Sequence, residues 1–281
     1  MKTFRRKTYE IETSKLKGGK EVKLAILSDL HGAVFGEENT PLFDALMEEQ
    51  PDAVMILGDM LVRTEMETMG PAEKFLIKLS EYFPVYYALG NHEQYLQECA
   101  ETREQYLQYE RRLTSAGVCF LHNEHTSTEL KGTDFVFYGL ELPMQYYKKP
   151  KSPMLSLTEL ESLIGIPYME GIHVLLAHNP KYGNTYFSWG SDVILCGHYH
   201  GGVLRLSEHH GLTCPQFLLF PPFCCGDFHR GGSHMIVSAG LGEHTVPLRI
   251  HNPRELLLLV MKPQAEVQPE SGDGNSDDTR D

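Results

Sequence analysis

The chain has 281 residues, 41% of them hydrophobic, which is enough for one large domain with a sizeable core. Its 38 acidic residues against 25 basic ones give a net charge of −13. That balance argues against a long nucleic acid as an obligate partner, because phosphate-backbone binding is driven by Lys and Arg. Six scattered cysteines without a CxxC pair do not read as a disulfide framework, so a reducing, cytoplasmic setting is expected.

Residues 1–7 are basic but lead into no apolar stretch of the kind a signal peptide carries. No run approaches the ~20 apolar residues of a spanning helix. Residues 9–11 and 21–27 read as strands, the second running straight into Ser28-Asp29-Leu30-His31-Gly32. Pro41 suits a first helical turn, and apolar residues at 42, 43, 46 and 47 predict a helix over 42–49. The apolar run 53–57 is a strand that ends at Gly58-Asp59. A helix over 71–81 and a strand over 85–89 follow, and then Gly90-Asn91-His92-Glu93.

The spacing next predicts one long helix over 94–115, strands over 118–121 and 135–140, and a loop over 142–155 that mixes Tyr146 and Tyr147 with Lys148, Lys149 and Lys151. Ser156-Leu157-Thr158-Glu159 has the form of a capping box opening a helix through Ile164. Strand 172–177 delivers His178-Asn179-Pro180, and strand 192–196 delivers Gly197-His198-Tyr199-His200-Gly201-Gly202. Residues 203–250 read as mostly β, and 256–260 as a closing strand. From Pro263 the chain is acidic and weakly hydrophobic, so the expected organisation is one domain over 1–262 and a disordered acidic tail over 263–281. The rhythm of strand, ligand and helix is that of βαβ units with ligands at the carboxyl ends of strands.

Each of the strings that follow these strands couples an oxygen or nitrogen ligand to a turn former. Carboxylate, amide and imidazole together suit a pair of borderline transition-metal ions. Two such ions about 3.5–4 Å apart clamp an in-line displacement at phosphorus. The candidate ligands are Asp29, His31, Asp59, Asn91, His178, His198 and His200.

Taken in order as D-x-H, GD, GNH with a following acid, a lone His and GHxH, the strings resemble the signature of the calcineurin-like metallophosphoesterase superfamily. The stretch Ser238-Ala239-Gly240-Leu241-Gly242, with Pro247, Arg249 and Pro253-Arg254-Glu255-Leu256, is similar to the C-terminal pattern of one bacterial branch. That branch includes proteins similar to phosphodiesterases acting on UDP-2,3-diacylglucosamine. The resemblance implies an α/β fold: two mixed β-sheets packed as a sandwich with helices on both outer faces. It implies two divalent metal ions (Mn, Fe, Zn or Mg), one held by Asp29, His31 and His200, the other by Asn91, His178 and His198, with Asp59 bridging. A hydroxide shared by the ions would attack a phosphomonoester or phosphodiester. His92 would be the catalytic side chain, lying beside the departing oxygen and donating to it or to a phosphoryl oxygen. Glu93 is open between orienting a neighbouring ligand and lying solvated on the surface.

Arg63 and Asn39 follow soon after the first two metal strings and are expected at the substrate, Arg63 as a bidentate grip on phosphate. The expected partner is a small phosphorylated molecule. The loop around residues 146–151 offers contact to a nucleotide or to a lipid headgroup at a membrane surface. The remaining histidines read as surface or packing residues, with His229, in a loop bordering the cleft, the first exception to test. A non-catalytic scaffold of the same fold that binds a partner protein is the competing reading. The intact ligand set and His92 disfavour it, and the acidic body places a nuclease third.

Overall fold

Alternation along the buried strands sorts their side chains onto two faces, and both faces are apolar. In the computed structural model, which describes residues 2–264 apart from 168–169, 216 and 244–247, the strands form two mixed sheets of six. Residues 265–281 of the expected acidic tail, together with His244 and Pro247, lie outside the described residues.

The first sheet runs in the order β1 (Arg5–Thr13), β12 (Glu255–Pro263), β2 (Val22–Leu27), β3 (Ala53–Ile56), β4 (Val85–Tyr87) and β5 (Val118–Phe120). Strands β2 to β5 are parallel to one another, while β12 pairs parallel with β1 and antiparallel with β2. The second sheet runs β10 (Gly226–Arg230), β11 (Ser233–Val237), β9 (Val193–Cys196), β8 (Ile172–Ala177), β7 (Thr133–Leu140) and β6 (His125–Leu130). Its four middle strands are parallel and its two edges antiparallel.

Val22, Leu24 and Ile26 of β2 meet Ile172, Val174 and Leu176 of β8 in a cluster between the sheets. The alternate residues Ala25 and Leu27 face the helices α1 (Thr40–Glu49), α2 (Met69–Ser80) and α4 (Arg103–Ser115). On the far side, Leu175, Ala177, Ile194 and Cys196 face α5 (Leu157–Ile164) and α6 (Gly183–Trp189). The layers are thus helix, sheet, sheet, helix, as the period-two pattern of a strand buried on both faces requires.

Most expected elements are present, Ser156 included. Its Oγ accepts the Glu159 N–H at 3.2 Å and its own N–H donates to Glu159 Oε2 at 3.0 Å, which closes the capping box. Three expectations need correction. The helix expected over 94–115 is two helices, α3 (Asn91–Glu98) and α4, because Cys99 turns to extended backbone and the Thr102 hydroxyl donates to the carbonyl of Leu96 at 2.9 Å. The segment expected to be mostly β over 203–250 forms only β10 and β11 among the described residues; 203–215 and 217–223 are irregular backbone with isolated bridges. His229 lies exposed on β10 opposite His234 rather than in a loop. No described helix is long and apolar enough to cross a membrane.

Candidate metal centre

The carboxyl ends of β2, β3, β4, β8 and β9 lie together at one rim of the sandwich, and each hands the chain to one of the ligand strings. Beyond the strands, the β2–β3 pairing continues loop to loop: Leu57 N–H donates to Leu27 O at 2.9 Å, Asp29 N–H to Gly58 O at 3.0 Å and His31 N–H to Asp59 O at 3.0 Å. The ladder holds a costly backbone. Asp29, His31, Asp59, His198 and His200 have φ of +53°, +45°, +52°, +65° and +50°. Non-glycine residues in the left-handed region cost roughly 1–3 kcal/mol each and persist where surroundings over-determine them. Here the unusual backbone aims five of the seven candidate ligands into one volume.

Three groups of side chains each bring ligand atoms within 4.8 Å of one another: Asp29, His31 and His200; Asp59, His178 and His198; and His31, Asp59 and His92. His31 Nε2 and His200 Nε2 lie 3.2 Å apart, and Asp29 Oδ1 is 3.3 Å from His200 Nε2. Asp59 Oδ2 is 3.6 Å from His31 Nε2 and 3.1 Å from His178 Nε2. Close packing forces the approach. A Cβ on Gly197 would lie 2.0 Å from Ser28 Oγ and 2.5 Å from Asp29 Oδ2, so only glycine fits beside that carboxylate.

The carboxylates are buried and held. Asp29 accepts from Ser28 Oγ and from the His198 N–H at 3.0 Å. Asp59 Oδ1 accepts the His92 N–H at 2.9 Å. Fully buried Glu93 accepts from the N–H groups of Asp59 (2.8 Å), Met60 (2.7 Å), Leu61 (3.1 Å) and Gly90 (3.2 Å), and from the Tyr87 hydroxyl at 3.1 Å. It is therefore no solvated surface acid; it holds the turn that presents Asp59.

Burial pushes the Asp29 carboxyl up to about 7, with the neighbouring Asp59 charge adding to it and His178 opposing. Burial and Asp59 likewise raise Glu93. Burial acts on Asp59 too, but the imidazoles of His178, His92 and His31 outweigh it and hold Asp59 well below the usual carboxylate range. Burial works against a charged His178, yet Asp59 and Asp29 lift it to about 9.

The cluster fits divalent cations. Asn91 Oδ1 and His178 Nε2 are buried without a hydrogen bond, although they are the atoms a metal would take from these residues. His178 Nδ1 is 2.5 Å from the Leu57 carbonyl, which fixes one proton there, so a cation at Nε2 would take the place of the ring's second proton. Two buried carboxylates with raised pKa, Asp29 and Glu93, beside a third, Asp59, kept charged by neighbouring imidazoles call for added positive charge.

His92 Nδ1 accepts the Arg63 N–H at 3.1 Å, so the neutral ring carries its proton on Nε2, and its ring packs edge-on against His31 at 4.7 Å between centroids. Arg63 thus reaches the cluster through its backbone; its exposed guanidinium stands over the Tyr95 ring at 5.1 Å. Asn39 is elsewhere engaged. It is buried, and its Oδ1 accepts the Phe35 N–H at 2.9 Å to close its own loop. Sequence reasoning missed two supports. Tyr147 packs edge-on against His198 at 5.3 Å, and buried Asn252 donates to the carbonyls of His200 (2.6 Å) and Gly202 (2.5 Å). The aromatic-basic loop signalled the first; nothing in the string His251-Asn252-Pro253 signalled the second.

A family model described as calcineurin-like phosphoesterase matches residues 22–202. A Danio rerio relative, "Transmembrane protein with metallophosphoesterase domain", is 29% identical over 86% of this chain and 53% of its own length, so the chain spans about half of that relative. An uncharacterized metallophosphoesterase of Aquifex aeolicus is 28% identical over 90% of each. Phosphodiesterase YaeI of Escherichia coli is 28% identical over 66% of this chain and 62% of its own. Among solved structures, the sulfate thiohydrolase SoxB of Thermus thermophilus superposes with a TM-score of 0.50 at 15% identity over 86% of this chain and 56% of its own. That likeness concerns the fold alone.

Proposed function

Because the chain belongs to the calcineurin-like phosphoesterase family, we propose that it is a dinuclear metal-dependent phosphoesterase hydrolysing a small phosphomonoester or phosphodiester. One observation carries the reading: the Asp59 carboxylate lies between two ligand groups, 3.6 Å from His31 Nε2 on one side and 3.1 Å from His178 Nε2 on the other. Asp29, His31 and His200 would hold one ion, Asn91, His178 and His198 the other, and Asp59 both. Bound there, divalent cations would supply Lewis acidity at the phosphoryl oxygens and an activated water at neutral pH.

The chain's own groups do the rest. His92, with its proton fixed on Nε2 by the Arg63 N–H, donates to the leaving-group oxygen or to a phosphoryl oxygen. Glu93 keeps the Asp59 turn from drifting, so the bridging carboxylate is in place before substrate arrives. The exposed Arg63 guanidinium, steadied on Tyr95, meets the substrate's anionic end. Residues 1–262 form the catalytic domain in this reading.

Metal analysis combined with chromogenic monoesters and diesters in added Mn²⁺ tests the proposal. The expected result is bound metal and turnover of at least one ester class. Bound metal with no turnover of any ester would refute it in favour of a partner-binding scaffold.

A further inference from the structure

A small cavity of about 100 Å³, open to solvent, adjoins the cluster on the His200 side. His200 and Arg249 form the wall it shares with the metal ligands; Arg249 Nη2 is 3.5 Å from His200 Nδ1 and donates to Gly242 O at 2.5 Å. Val203, Pro215, Phe217 and Leu248 build an apolar wall opposite, and Glu243, paired with Arg249 at 3.8 Å and with Arg254, also lines the cavity.

Two features say that this lining is meant to be covered. Phe217 is 72% and Leu248 49% exposed, and Leu219 and Phe220 on the same segment are 68% and 61% exposed. Large apolar groups gathered at one place are unusual on a soluble surface. Phe217 and Phe220 also hold φ of +61° and +50°, a backbone that bulky residues adopt at a cost. One charge marks the rim. Lys149 stands over the Phe217 ring at 5.3 Å, and no carboxylate among the described residues pairs with it. Burial, and then the nearby Arg63 charge, lower its pKa.

We propose that this cavity receives a hydrophobic substituent of the substrate, so that the preferred phosphoesters carry an aliphatic chain or an aromatic ring beside the phosphoryl group. The inference rests on the phosphoesterase reading and deepens it. Continuity with the cluster through His200 places such a substituent next to the reacting phosphorus. Lys149 at the rim suits an anion tethered to an apolar body rather than a neutral apolar ligand.

The test uses methyl, butyl, hexyl and phenyl p-nitrophenyl phosphodiesters, all with one leaving group and all below their micelle-forming concentrations. The metal-loaded full chain should show KM falling roughly fourfold per methylene until the cavity is filled. Binding of the corresponding alkyl phosphonates, measured by calorimetry, should follow the same slope and does not depend on turnover. Leu248→Glu should flatten both slopes. Phe217→Ala, at an exposed site that tolerates truncation, should flatten them in part and guards against a misfolded first variant. The phenyl ester separates ring from chain. Chain-independent KM and phosphonate affinity overturn the inference, as does a dependence seen only above the micelle concentration, which marks adsorption to an aggregate or a lipid surface. Chain-dependent phosphonate binding with no ester hydrolysed upholds the cavity and defeats the phosphoesterase reading instead.

Discussion

Glu93 and Asp59 are locked to each other through the main chain: the Glu93 carboxylate takes the Asp59 N–H at 2.8 Å, and it takes the next two N–H groups as well. Removing a buried acceptor strands each of its donors at roughly 1–3 kcal/mol. Glu93→Ala should therefore lower stability by at least about 2 kcal/mol and metal affinity by about 10–100-fold. Denaturant unfolding and a metal titration check the two effects. A variant with normal metal affinity would separate the turn from the site.

Asp59→Ala should remove metal and nearly all activity, because its carboxylate faces both ligand groups. Metal content after dialysis, set beside ester turnover, is the measurement; a fully active variant would end the bridging role.

His92→Ala should keep metal and lose about 10²–10⁴ in rate on esters with poor leaving groups. Esters of acidic phenols need no proton and should be nearly spared. Equal losses on both would show that His92 acts on the phosphoryl oxygens rather than on the departing one.

Gly197→Ala should fold but bind metal poorly, since its methyl would lie 2.0 Å from Ser28 Oγ and 2.5 Å from Asp29 Oδ2. A normal far-ultraviolet spectrum with metal affinity reduced about tenfold or more is the expected pair of readings.

His122 provides a pH test away from the site. It lies between Glu110 at 3.1 Å and Glu141 at 2.6 Å, and hydrogen bonds to these two carboxylates raise its pKa to about 10 against burial. A histidine raised in the folded state contributes its stabilisation in full below the unfolded value of about 6.5 and loses it as pH rises towards 10. The melting temperature should thus decline across that alkaline window, and Glu110→Gln should shrink the decline.

The centre was legible because metal ligands must be particular residue types and because glycine must sit where backbone approaches Asp29 or Asp59. Strands buried on both faces, such as 53–57 and 172–177, announce themselves as unbroken apolar runs. Other features left no such mark. Strand β6 lies at an edge and carries His125-Thr126-Ser127-Thr128-Glu129, with little apolar alternation. The break between α3 and α4 depends on one hydroxyl, Thr102, in a run of good helix formers. Asn39 reads as a substrate contact by its place after the first metal string, but its neighbours give it a left-handed backbone and a loop to close. Arg63 was found through its side chain, whereas its peptide N–H is what fixes the proton of His92.

Strand β12 is inserted between β1 and β2, so residues 255–263 complete a sheet begun at residue 5. During synthesis the half-centre formed by Asp29, Asp59 and Asn91 has its neighbouring strand on one side only until residues 255–263 emerge. Pairing across so long a separation is intrinsically slow. Chains cut short before Glu255 should therefore carry a bare β2 edge that invites aggregation.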